Sequence, residues 1–332
     1  MISLIATVLN EGESIHQLMR SILQQTRQPD EIVIVDGGSQ DGTAAILQSY
    51  AEHLPLRLLV RPGCSISQGR NAAITAAQGD IIAVTDAGVV VDPHWLERIT
   101  RPLLENPELC FVGGFFTPDF DNTFGWAMSA TVLPLVDEID PATFLPSSRS
   151  IAFRRSVWEA TGGYPEWLDY CEDLIFDLRV KRWLQKKSRP LLAFVPDARV
   201  AFRPRRSLPA FWKQYYRYAR GDGKADLWRK RHAARYLTYL VALPSILVLM
   251  LAVHPLMGLL ALPGAAVYLR QPYIRLARLR PANTALPEIL YAIILVVLIR
   301  VIGDVAKMAG YPAGWRWRLR HHPPDWQQII DS

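Results

Sequence analysis

EIVIVDGGSQDGT, residues 31–43, is the stretch on which the fold turns. Behind Glu31 it is a short run of β-branched residues, and at Asp36 it gives way to glycine, serine and aspartate with nothing to bury. So short an apolar run, closed by Gly37-Gly38, predicts a buried strand ending at Asp36. AAILQSYAEH then reads as a helix. The same unit recurs on either side. SLIATVL leads through the turn NEGES to a helix with Ile15, Leu18, Met19, Ile22 and Leu23 on one face. LRLLV leads to SQGRNAAITAAQG, and DIIAVTD is a fourth strand. Strands separated by short helices imply right-handed crossovers, hence an α/β chain with a mostly parallel, Rossmann-like sheet. Ligands of such sheets lie beyond the carboxyl ends of the strands, where Asn10, Asp36 and Asp86 all fall.

Further on, WLERITRPLLE predicts a helix after Pro93, and CFVGGFF a strand. Residues 117–150, rich in Pro, Asp and Thr, show no regular pattern. SIAFRRSVWEATGG reads as strand then helix, stopped by Gly162-Gly163. EDLIFDLRVKRWLQK is an amphipathic helix in which Leu174, Ile175, Leu178 and Trp183 are expected to pack and Lys181, Arg182 and Lys186 to be solvated. LLAFVP is the last strand.

A chain of 332 residues holds one large domain or two smaller ones. Composition divides it into a mixed head, 1–228, and a tail, 229–332, with apolar segments 236–253, 255–269 and 286–303. Residues 236–269 contain no Asp, Glu, Lys or Arg. As helix they would run about 51 Å, too long for one upright crossing of a bilayer core, and His254-Pro255 is the natural break. A hairpin of two short crossings is expected, with the third segment lying partly inserted or along the interface because Arg300 and Asp304 follow only 11 residues of ILYAIILVVLI. A helical subdomain packed on the head is the soluble alternative.

The net charge of +6 gathers beside the apolar segments, at Arg229, Lys230, Arg231 and Arg235 and at Arg270, Arg275, Arg278 and Arg280. That placement fits anionic headgroups and the cytoplasmic face of a membrane, and no nucleic-acid-binding motif accompanies it. Cys64, Cys110 and Cys171 are scattered and odd in number, which fits a reducing compartment. The N-terminus lacks the features of a signal peptide. DGGSQDG lacks the G-x-G-x-x-G spacing of a dinucleotide oxidoreductase, G-x-S-x-G is absent, and no Cys/His cluster suggests zinc.

TVLNEGESI, VIVDGGSQDGT, GRNAAITAAQGD, TDAG, FRRSVWEATGGY and YCEDLIFDLRV, in this order over roughly residues 1–225, resemble the inverting family 2 glycosyltransferases of the GT-A fold, in their membrane-attached bacterial form. The resemblance implies that Asp36 bonds a nucleobase, uracil by expectation, with Thr7 and Glu11 lining the pocket beside Asn10. The bland alternative for Asp36 is an Asx turn in a glycine-rich loop. Arg70 and Asn71 read as the opening of a helix that attracts phosphate, or simply as a solvated helix start. In the resembled family an Asp-x-Asp motif positions Mg2+ or Mn2+ on the diphosphate. Here TDAG keeps Asp86 and puts Gly88 in place of the second acid. A hard cation can still be held by one carboxylate if phosphate oxygens and waters complete its shell. His232, or Asp222, is the candidate further ligand.

By the same resemblance Asp173 is the general base that takes the acceptor proton, with Glu172 orienting it or touching the acceptor. Two acids opening a helix also complement its dipole with no catalytic role. QYYRYARGDGKA resembles the Gln-x-x-Arg-Trp element of processive members, with Tyr218 for the Trp. Gln214 and Arg217, three apart on one face, are then candidate diphosphate or acceptor contacts, or part of an interfacial helix. Ser147, Ser148 and Arg149 are placed on the acceptor side.

The implied activity is metal-dependent transfer from a nucleotide-diphosphate sugar to a membrane-surface acceptor, a lipid-linked saccharide or a glycerolipid hydroxyl. A polyprenyl phosphate acceptor, already an anion, would not need Asp173 as base. A silent nucleotide-sugar-binding membrane protein is the reading from another class.

Overall fold

The structure, a computed structural model, describes residues 1–188 and 192–327. It separates into two compact units. Met1–Pro118, Val136–Arg203 and Pro324–Ser332 form the first, Asp119–Leu135 and Pro204–Pro323 the second. Compactness thus divides the chain after Arg203 rather than at 228/229, because the helix that follows packs with the tail. It also assigns 119–135, from the stretch without a sequence pattern, to the helical unit.

In the first unit the strands are β1 (Ile2–Val8), β2 (Glu31–Asp36), β3 (Leu56–Val60), β4 (Ile81–Val84), β5 (Val89–Val91), β6 (Phe111–Pro118), β7 (Ile151–Arg154) and β8 (Ala193–Phe202). They form one sheet in the order β3-β2-β1-β4-β7-β6-β8-β5. β3, β2, β1 and β4 run parallel, whereas β7 is antiparallel to both its neighbours. Of the expected strand LLAFVP, Leu191 lies outside the described residues. Central strands are buried on both faces, which is why they read as continuous apolar runs. Leu4, Ala6, Ile32 and Ile34 face one core with α1 (Ile15–Leu23), α2 (Thr43–Tyr50) and α4 (Trp95–Glu105). Ile5, Val33 and Val35 face the other, with α3 (Ile66–Ala76), α6 (Arg155–Thr161) and α7 (Glu172–Lys186).

Two helices differ from the sequence expectation in detail. α3 starts at Ile66, capped by Ser65, whose hydroxyl accepts from the Gln68 N–H while the Gln68 side chain accepts from the Ser65 N–H. Arg70 therefore sits a full turn inside the helix and does not open it. α7 buries Ile175, Phe176, Val180 and Leu184 together with Glu172 and Asp177, while Leu174 and Leu178 are only partly covered. Two acids on the inward stripe displaced the apolar face that periodicity predicted.

The second unit is helical. It contains α5 (Thr123–Val132), α8 (Leu208–Ala225), α9 (Arg229–Leu237), a π-helical stretch Thr238–Ala242, α10 (Leu243–Ala252), α11 (Ala261–Arg278) and α12 (Leu286–His321). A Cβ on Gly310 or Gly314 would overlap the carbonyl oxygens of Tyr216 and Arg220, so α8 and α12 meet backbone to backbone. The break at His254-Pro255 is present as a 3-10 turn, Pro255–Leu260. Among the described residues two helices are long and apolar enough to cross a membrane, Arg229–Ala252 and Leu286–His321. The segment expected to be too short thus belongs to a 36-residue helix that continues through Arg300 and Asp304. The expected partner segment 255–269 is split between the 3-10 turn and α11, and does not meet the same test.

Candidate active site

β2, β1 and β4 are parallel neighbours, so Asp36 at the end of β2 and Asp86 just past β4 lie on one edge, about two strand spacings or 10 Å apart laterally. Asp36 is fully buried. Its Oδ1 accepts from the Gly38 N–H (3.0 Å), the Ser39 N–H (2.9 Å) and the Ser39 hydroxyl (2.7 Å), which is the Asx turn. Its Oδ2 is buried with no partner among the described residues. The turn therefore occupies one oxygen and leaves the other over. Gly38 is required here: at φ +96° a Cβ would stand 2.9 Å from the Pro62 Cα.

Asn10, itself at φ +54°, ties the first loop to the second. Its N–H donates to the Ser39 hydroxyl (2.8 Å) and its Oδ1 accepts from the Gln40 N–H (2.9 Å). The Glu11 N–H donates to the Thr43 hydroxyl (3.0 Å), and its carboxylate accepts from Ser14 (3.1 Å). Thr7 is half-buried beneath Gly69 of α3, where a Cβ would press on its methyl at 2.7 Å.

The centre of the site is Arg70, 2% exposed. One guanidinium nitrogen donates to Asp86 Oδ1 and another to Glu172 Oε1, each at 2.7 Å, and its charge lies 5.2 Å from the Tyr164 ring centre. The end of β4, the second turn of α3 and the first turn of α7 are thereby locked together. Asp86 also has Arg149 Nε at 3.5 Å from its other oxygen. Burial, and then the neighbouring Asp173 charge, push the Glu172 carboxyl up to about 7 against the pull of Arg70. Burial likewise raises Asp177, one turn along α7, whose two oxygens have no partner among the described residues. Asp173 is half-buried, with Oδ1 accepting from the Leu174 N–H (2.8 Å).

Several expected contacts have other work. Asn71 makes all four of its side-chain hydrogen bonds to Trp158, Glu166 and both backbone groups of Tyr164, which clamps the loop after α6 and leaves no capacity for phosphate. Ser148 is buried and bonded to the Tyr164 hydroxyl (3.0 Å), and Ser147 accepts from Arg149 (3.1 Å). Arg149 lies over the Phe202 ring at 4.2 Å and faces Asp86. Gln214, Arg217, Asp222 and His232 belong to the helical unit. Gln214 donates to the Tyr218 hydroxyl (2.7 Å). His232 is buried with both ring nitrogens occupied, by Asp222 (3.2 Å) and Arg235 (3.1 Å), so it has no lone pair to offer a metal.

The sequence reading missed the hub role of Arg70, as well as Tyr164 and Asp177. Asp177 alone carried a signal: it stands four residues after Asp173, on a stripe that α7 buries.

The divalent cation implied by the resemblance fits this charge balance. Around Arg70 four carboxyls, those of Asp86, Glu172, Asp173 and Asp177, face the cations Arg70, Arg149 and Lys181, so carboxyls outnumber cations, and burial pushes Glu172 and Asp177 toward keeping a proton. Asp86 has a carboxylate about one-quarter exposed, and a Cβ at Gly88 would meet nothing within 4 Å. The described residues contain no group of three potential ligands. The protein would supply Asp86 alone, leaving the other positions to diphosphate and water.

Residues 3–161 match the family described as "Glycosyl transferase family 2". An uncharacterized glycosyltransferase of Nostoc sp. is 29% identical over 170 residues, 48% of this chain and 52% of its own length. A glucosyl-dolichyl phosphate glucuronosyltransferase of Haloferax volcanii is 26% identical over 161 residues, 46% and 51% of the two chains. This chain thus spans about half the length of these relatives. A solved mannosyltransferase from Pyrobaculum calidifontis, in complex with GDP-Man and Mn2+, superposes with a TM-score of 0.54 at 18% identity, covering 97% of this chain and 87% of that one. At that identity the likeness shows the fold, the GT-A arrangement of a mixed sheet with helices.

Proposed function

The chain carries a family 2 glycosyltransferase domain over residues 3–161, and from that premise we propose that it moves a sugar from a uridine diphosphate donor to a hydroxyl at a membrane surface, with inversion. The observation that carries this is the buried Oδ2 of Asp36. An acceptor shut away from water without a donor costs on the order of 1–3 kcal/mol, which a ligand N–H recovers. Because Oδ1 is already saturated, one N–H is wanted, as uracil N3 presents, rather than the paired donors of guanine.

The chemistry follows from the carboxylates. The acceptor oxygen attacks the anomeric carbon as its proton passes to Asp173; the bond to the diphosphate breaks on the opposite face, and its electron pair leaves with the nucleotide. No enzyme nucleophile is needed. Arg70 and Glu172 hold Asp86 and the start of α7 in place. A bound Mg2+ or Mn2+, held by Asp86, would offset the charge of the diphosphate, and Arg149 adds a second positive group on that side.

The membrane placement is supported by Arg229–Ala252, none of whose apolar window is buried, and by the basic residues at its start, which favour the cytoplasmic face. A lipid-linked saccharide or glycerolipid hydroxyl is the acceptor class that needs Asp173 as base. A polyprenyl phosphate acceptor does not.

The test is thermal shift of the purified full chain with UDP, GDP and their hexoses, in Mn2+ and in chelator. UDP with Mn2+ is expected to stabilise most, and Asp36→Ala to abolish the preference for UDP over GDP. A folded protein stabilised by no nucleoside diphosphate would overturn the reading. Binding without any sugar transfer or donor hydrolysis would favour the silent alternative.

A further inference from the structure

The helical unit contains a second charged cluster, with the opposite balance. Arg300, Asp304 and Lys307 lie at i, i+4 and i+7 on one face of α12. Asp304 is saturated: Oδ1 accepts from Arg235 Nε (2.7 Å), and Oδ2 from the hydroxyls of Tyr268 (2.6 Å) and Tyr239 (3.3 Å). Arg300 lies over the Tyr268 ring at 4.3 Å and donates to the Tyr268 carbonyl (3.3 Å), while its Nε is buried without a partner among the described residues. The Lys307 ammonium stands 4.7 Å from the Tyr215 ring centre and forms no ion pair among the described residues. Three cations thus face two carboxylates, and both oxygens of Asp304 are already taken. The other acid at hand, Asp222, is bonded to His232.

The position of the cluster along its helices matters as much as its charge. The apolar run after α9 begins at Tyr236, next to Arg235, and that of α12 ends at Ile299, next to Arg300. The cations therefore stand at one end of both long apolar stretches, the level of a lipid headgroup once those helices are in a bilayer. On the adjoining face of α12, about a quarter turn round, Ile293, Ile294, Val297, Leu298 and Val301 line a shallow, open apolar groove whose last member follows Arg300 in sequence.

We propose that this cluster binds the phosphate of a single membrane lipid, with the hydrocarbon chain along the groove. The inference rests on the membrane placement proposed above. Phosphate oxygens accept from guanidinium, ammonium and phenol alike, and a net negative headgroup supplies the charge that Asp304 cannot. The groove selects a lipid over a free phosphate.

The full chain in neutral detergent is titrated with phosphatidylglycerol, phosphatidylcholine, a long-chain prenyl monophosphate and inorganic phosphate, reading melting temperature and bound lipid by native mass spectrometry. Phosphatidylglycerol or the prenyl phosphate is expected to stabilise, and phosphatidylcholine and inorganic phosphate to have no effect. Tighter binding of the prenyl phosphate would make this the acceptor's own site. Lys307→Met and Arg300→Gln should weaken anionic-lipid binding about five- to ten-fold, whereas Lys230→Ala, on the exposed flank, should not. Without lipid, Lys307→Met should melt no lower than the native chain, since it removes an unpaired charge. Equal lipid binding by the variants, equal binding of inorganic phosphate, or a lower lipid-free melting point for Lys307→Met would each overturn the site. Failure of the chain to partition into phosphatidylcholine vesicles would instead refute the membrane placement.

Discussion

The two charged clusters, around Arg70 in the sheet unit and around Asp304 in the helical unit, are near inverses. In the first, carboxyls surround a buried guanidinium that bonds two of them at 2.7 Å. In the second, cations and phenols surround one carboxylate. Each central group bonds its immediate neighbours, yet in each cluster the two signs are unequal in number. By the proposals above, the surplus is met by a cation or a proton where acids exceed bases, and by an anion where bases exceed acids. The clusters should also respond differently to losing a cation, and that difference can be measured.

The largest effect is expected at the acid-rich cluster. Asp173→Asn should lower sugar transfer by about 10²–10⁴-fold, the range for loss of a positioned base, while UDP binding by titration changes little. Retained turnover would either move the base elsewhere or point to an acceptor that is already an anion. Arg70→Met comes next. It leaves Asp86 and Glu172 buried or half-buried without their shared partner, and breaking such a pair costs about 3–5 kcal/mol, readable as a lowered denaturant midpoint. The same change at Lys307, argued above, is expected to cost nothing. Equal losses at both positions would break the contrast.

Protonation sharpens it further. Glu172 has its folded pKa raised from 4.5 to about 7, chiefly by burial. The folded state therefore holds a proton that the unfolded state releases earlier. The resulting stability is fully present below about pH 4.5 and is lost as pH rises through about 7. Urea midpoints measured across that window should fall with pH in the native chain and fall less in Glu172→Gln. An unchanged slope in the variant would mean that Asp177, raised in the same direction by burial, takes up the proton instead.

What the sequence disclosed follows from how far each feature reaches along the chain. β2 was legible because a strand buried on both faces is a local composition, and β3, a partly exposed edge strand, because its short apolar run Leu56–Val60 still has the bounds that its residues suggest. α5 was not, because TFGWAMSATV is apolar nearly all round, and a helix enclosed on every side shows no periodicity. Arg70 looked like a phosphate contact because its partners, Asp86 and Glu172, are 16 and 102 residues away. α12 was read as short for a related reason. Arg300 and Asp304 looked like the end of an apolar segment, whereas Asp304 is satisfied sideways by Arg235, Tyr239 and Tyr268, Arg300 leans on Tyr268, and the helix runs on. The motif order placed Asp36 and Asp86 on one edge, but did not show that one oxygen of Asp36 makes the turn while the other is left over.

Gly88→Asp is the gentlest test of the contrast, because it adds acid to the cluster that already has too much. A Cβ there meets nothing within 4 Å, and the backbone is not in the left-handed region, so stability should stay within about 0.5 kcal/mol. With only Asp86 as protein ligand, cation affinity is limited by how much of the shell water and diphosphate must fill. A second carboxylate two residues on should tighten Mn2+ binding about ten-fold in the presence of UDP, and less without it, since the nucleotide completes the shell. Tighter Mn2+ with UDP alone would place the cation between Asp86 and the diphosphate. No change in either condition would move the cation off this edge of the sheet, and leave Arg149 as the positive group the diphosphate meets.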